Sequence, residues 1–147
     1  MLDRLLQLLE GRVTSAGGPS EEDLRLAVAA LLVEAARMDR SFGEGERATV
    51  ANLLSRRFGL SPSEVSFLVE RADARVIDSV QYFPFTHNIN QMMSAAEKTE
   101  VIEMLWRVAY ADGSLEAEED QLIRQVAGLI HVPDRDRMLA RRRALDA

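Results

Sequence analysis

The apolar residues of this chain recur three and four positions apart, and no stretch alternates residue by residue, so the pattern is helical throughout. Leu2, Leu5, Leu6 and Leu9 make a stripe along one side of a short N-terminal helix, and Gly17-Gly18-Pro19 marks the loop behind it. Ser20-Glu21-Glu22-Asp23 is a capping sequence that predicts a helix to about Met38. Its middle, Ala27 to Val33, has no polar face and belongs at the centre of the fold. Ser41-Phe42-Gly43-Glu44 has the spacing of a capping box, and predicts a helix through Phe58 with Val50, Leu53, Leu54 and Phe58 inward and Gly59 as its stop. Ser61-Pro62-Ser63-Glu64 opens the next, which turns Val65, Leu68, Val69, Ala72 and Val76 inward and ends near Asp78.

After the aromatic segment Tyr82 to Phe85, Pro84 predicts a short helix with Phe85, Ile89 and Met92 or Met93 inward. Ser94-Ala95-Ala96-Glu97 caps a helix to about Ala111 with Val101, Leu105 and Val108 inward. Glu116 to about Ile130 carries Leu122, Ile123, Val126, Ala127 and Ile130 inward, and Pro133-Asp134 starts a last helix through Met138 and Leu139. The fold class is therefore all-α: one domain over residues 1–147 of about seven to eight helices, with helix and loop over 1–19 and the core over 20–140.

The pattern also repeats. A shift of 73 positions carries Asp39 onto Asp112, and brings Ala36 onto Ala109, Ser41 onto Ser114, Phe42 onto Leu115 and Glu46 onto Glu119. Two related halves, each a helix, an acidic turn and a second helix, are the expected architecture.

Composition narrows the function. With 18 basic and 24 acidic residues the chain carries a formal charge of −6, which disfavours a nucleic-acid partner. Its basic cluster, Arg141-Arg142-Arg143, reads as a solvated helix end. The absence of cysteine removes disulfides and thiolate metal sites and fits a cytoplasmic setting. No apolar run is long enough to span a bilayer, and Asp3 and Arg4 spoil the N-terminus as an export signal. His87, without other ligand-type residues at helical spacing, reads as a surface residue.

The acids of the two turns are the candidate chemistry. Asp112 continues the inward stripe of its helix, and Glu119 begins the inward stripe of the next; Asp39 and Glu46 do the same in the first half. Carboxylates converging on the negative end of a helix repel one another unless N–H donors, protons or a cation intervene. Two readings follow: the acids cap the turns, or they hold a divalent cation through Asp112 and Glu119, with Asp39 and Glu46 as a second site. A calcium EF-hand is excluded because its first and last ligands stand eleven apart, as these acids do not. Gly113 favours the second turn, whereas Arg40 occupies the matching position of the first. A hydrolase built on paired carboxylates lacks any accompanying phosphate loop or nucleophile–base arrangement.

The Asp-x-x-hydrophobic turn with its following Glu, the run Met104 to Gly113, and Phe85-Thr86 with Ile89-Asn90 between the repeats together resemble the TerB-like family of tellurite-resistance proteins. The likeness covers about residues 20 to 140. That family shares its fold with the N-terminal domain of the membrane-anchored co-chaperone DjlA. The resemblance implies a two-part all-helical domain without enzymatic activity, bacterial stress-response assemblies with protein partners, often at the membrane, and metal binding at Asp39, Glu46, Asp112 and Glu119. The alternative is a metal-free interaction module, homodimeric or with another protein, using the Leu2/Leu5/Leu6/Leu9 stripe or the aromatics from Tyr82 to Phe85. In the stripe's plainer reading it docks on the domain's own core, and its third is peripheral membrane contact.

Overall fold

A computed structural model describes residues 20–39, 42–78, 83–111, 115 and 117–146, and only the backbone of residues 39, 77, 78, 83 and 84. Seven α-helices occupy the described residues: α1 (Glu21–Ala36), α2 (Glu44–Phe58), α3 (Pro62–Asp78), α4 (Phe83–Met92), α5 (Ala95–Ala109), α6 (Ala117–Leu129) and α7 (Asp134–Asp146). A 3-10 turn, Arg37–Asp39, finishes α1. The leucine stripe and Tyr82 lie outside the described residues.

Three helix starts form as their sequences predict. The Ser20 hydroxyl accepts from the Asp23 N–H at 3.1 Å while the Ser20 N–H donates to the Asp23 carboxylate at 3.0 Å. Ser61 with Glu64 and Ser94 with Glu97 make the same reciprocal pair. Each pair satisfies two of the N–H groups that a helix start leaves without partners. The start of α2 differs from expectation. Gly43 is the N-cap, and its N–H donates to Glu46 at 3.1 Å, because a carboxylate at the third helical position reaches back to the cap whereas Glu44, at the first, does not.

The duplication is visible in three dimensions. Helices α1, α2 and α3 correspond in order to α5, α6 and α7, and α4 connects the halves. In each half the first helix packs most extensively on the third, and α1 runs through the centre with α2, α3, α4, α5 and α6 around it. Residues Ala27 to Val33 are buried on every side, as a helix without a polar face requires. Trp106, Leu105 and Ile102 of α5 complete the middle of the core, with Ile89 of α4 and Ile123 and Ile130 from α6 and its end. Even the turns between second and third helices match: Gly59 (φ 66°) and His131 (φ 65°) both take the left-handed conformation that ends a helix.

Two expectations are corrected. The cluster at Arg141–Arg143 is no simple solvated end, because Arg141 Nε donates to the Tyr110 hydroxyl and Arg143 Nε to Glu103, both at 2.8 Å. Nor is Phe85 available as a contact surface; it is buried on α4 with Thr86 and Ile89.

Candidate functional site

The first acidic turn lies where the end of α1 meets the start of α2. Asp39 closes the 3-10 turn, and its side chain lies outside the described residues. Glu46 is half-buried and bound to its own helix start. The cations near this corner serve a different acid, Asp73 of α3: Arg37 Nε reaches it at 2.7 Å, and an Arg47 terminal nitrogen lies 3.5 Å away. Both guanidiniums also face the Phe42 ring, Arg47 at 4.5 Å and Arg37 at 5.7 Å from its centroid. The hydrogen bond to Asp73 is the main cause of a raised Arg37 pKa, against a smaller opposing effect of burial. Asp73 ties the ends of α1, α2 and α3 together, and sequence reasoning missed it. Its only signal was an acid beside the inward position Ala72, which means nothing until the helix ends are known to meet.

The second turn is described in part. Asp112, Gly113, Ser114 and Glu116 lie outside the described residues. Glu119 is the third residue of α6, the register that Glu46 has in α2, and is 4% exposed. A carboxylate so buried requires polar company, and Glu119 is engaged. A small cavity lined by Gly45, Glu46, Thr49 and Ala111 brings the start of α2 against the end of α5. Of the four predicted site residues, the described structure thus places Glu46 at a helix cap and Glu119 inside the protein at the equivalent register. Among the described residues, no three His, Cys, Asp or Glu side chains are grouped to hold a metal ion.

The family model described as tellurite resistance protein TerB matches residues 25–142, and the chain belongs to that family. The match spans both halves, from α1 to the arginine cluster of α7. No curated protein and no solved structure matches the chain. Among the described residues, no helix is long and apolar enough to cross a membrane.

Proposed function

We propose that this TerB-family chain is a non-enzymatic, cytoplasmic stress-response accessory domain that acts by binding protein partners, with the acids of its two turns serving as capping and turn residues. The observation that supports a capping role for the acids is the Glu46 carboxylate, one oxygen of which accepts from the Gly43 N–H and so supports a helix start. Glu119 holds the same register in α6.

A second reading keeps a divalent cation at Asp112 and Glu119, with Asp39 and Glu46 as its counterpart in the first half. Two observations favour it: the burial of Glu119, and the cavity that places Glu46 beside Ala111, the neighbour of Asp112 in the chain. Calorimetric titration of chelator-treated protein with calcium, magnesium, zinc and manganese separates the two. The capping reading expects no saturable heat and an unchanged fold in Glu46→Gln, whose amide oxygen still accepts from Gly43. Saturable binding that disappears in Asp112→Asn/Glu119→Gln would overturn it in favour of the cation.

A further inference from the structure

Helix α4 sits against α1 and α6, and its Asn90 side-chain amide donates to the Leu129 carbonyl at the end of α6 at 2.9 Å. The duplication sets a second surface of this kind between α5 and α2, since the shift of 73 positions carries α1 onto α5 and α2 onto α6. A groove runs there, open among the described residues. Two adjoining cavities of about 510 and 390 Å³ share Leu53, Arg56 and Arg107, with Ala48, Thr49 and Asn52 toward one end and Arg57, Glu100, Glu103 and Met104 toward the other. Arg56, which lines both, stands at the position matching Leu129.

The two surfaces differ in chemistry. On α1, Ala27, Ala30 and Leu31 are buried in the apolar core, whereas α5 carries Glu100, Glu103 and Met104 at the matching positions, with both acids at least partly exposed. A helix as apolar as α4, which buries Phe85 and Ile89, would strand those charges away from water. Arg57 already pairs with Glu97 at 3.1 Å and Glu100 at 3.2 Å, and Arg107 with Glu103 at 2.8 Å. Arg56 is exposed and, among the described residues, has no carboxylate partner. In a chain of net charge −6 the lining of this groove thus holds three arginines against two glutamates. We propose that the groove docks an acidic helix of a partner protein, which sets a carboxylate on Arg56 and apolar side chains against Leu53 and Met104. A contact built on exposed charge is sensitive to salt and selects its partner by sign. The inference deepens the proposed function and rests on its reading of the chain as a binder of protein partners.

The probe is a helical peptide with leucines four residues apart and glutamates beside them, stapled through its side chains because a short free helix is marginal in water. Titrated into the isotope-labelled full chain, it should shift the amide signals of Asn52, Leu53, Arg56, Met104 and Arg107 saturably, with affinity falling as salt is raised. Arg56→Glu, an exposed substitution whose fold circular dichroism checks, should weaken binding of this peptide about fivefold and strengthen that of its lysine-for-glutamate counterpart. No saturable shift, shifts centred elsewhere, or equal affinity for the two peptides would overturn the proposal. So would shifts that grow with protein concentration before any peptide is added, since those would make the occupant a second copy. Failure at the groove leaves the capping role of the acids and partner binding at other surfaces standing, whereas saturable metal heat overturns the capping reading and leaves the groove result unchanged.

Discussion

The attachment of α7 to α5 turns on Glu103, whose carboxylate accepts from Arg107 four residues on and from Arg143 of α7, both at 2.8 Å. Replacing it with glutamine preserves shape and one acceptor but removes the charge. The magnitude follows from exposure. Glu103 is 21% exposed, Arg107 31% and Arg143 50%, so both pairs are partly screened and fall in the range of about 0.2–1 kcal/mol each. Their sum is on the order of 1 kcal/mol, which for a chain of this size lowers Tm by about 2–4 °C.

The pH dependence makes the prediction specific. Burial pushes the Glu103 carboxyl upward, but the hydrogen bonds and charges of Arg143 and Arg107 outweigh it and hold the group below the ordinary carboxylate value. A carboxyl depressed in the folded state stabilises fully above its unfolded pKa, and that stabilisation is lost as pH falls through the folded value. Thermal unfolding followed by circular dichroism should therefore separate parent and Glu103→Gln at neutral pH and low salt, with the gap closing in acid. A gap of equal size at about pH 3 would mean that packing, not charge, was lost, and no gap at neutral pH would mean that the pairs contribute nothing.

His131→Gly should stabilise by about 0.5–1 kcal/mol in urea unfolding, since glycine adopts the left-handed conformation without the Cβ penalty, and Gly59→Ala should destabilise by about 1 kcal/mol at the matching turn; equal stability for all three proteins would contradict the reading of these turns. Ser94→Ala removes the hydroxyl that accepts from the Glu97 N–H, and should cost about 1 kcal/mol by the same assay. Trp106→Phe deletes the indole N–H bond to the Arg137 carbonyl, 3.0 Å long, and a loss of about 1–3 kcal/mol is expected, an unchanged midpoint being the contrary result. Leu32→Ala empties part of the space around α1 and should cost about 2–5 kcal/mol.

The helices were legible because two strong local signals agreed. Apolar spacing assigned the inward faces of α3 and α6, and the serine–acid boxes at Ser20, Ser61 and Ser94 marked where helices begin. At the start of α2 the spacing offered Ser41 with Glu44, and the structure instead has Glu46 accepting from the Gly43 N–H, a contact that depends on the backbone. The candidate site was legible only as a pattern of acids. Periodicity shows that Glu46 points inward, but not that a glycine N–H lies within its reach. Arg141 reads from sequence only as part of a solvated helix end, because its partner Tyr110 sits 31 residues away at the end of a helix whose packing against α7 no local signal encodes.

That last pair explains why the two halves repeat in their apolar pattern and diverge in their polar one. Arg37 and Tyr110 are 73 positions apart, both follow the first helix of their half, and both reach the third helix of the same half. In the first half the donor is Arg37 and the acceptor is Asp73 on α3; in the second the acceptor is Tyr110 and the donor is Arg141 on α7. The tie recurs with its polarity reversed and its third-helix partner one turn away, since Arg141 matches Val69 in register and Asp73 matches Leu145. A hydrogen bond needs only complementary partners within reach, so each half can tie its first helix to its third through different positions, whereas a buried leucine has no such freedom because its volume must be kept. The reversal accounts for charges that otherwise look functional. Arg47 joins Arg37 at an acid on α3, and Arg143 joins Arg141 in tying α7 to α5, so Arg141 and Arg143 help hold the second half together.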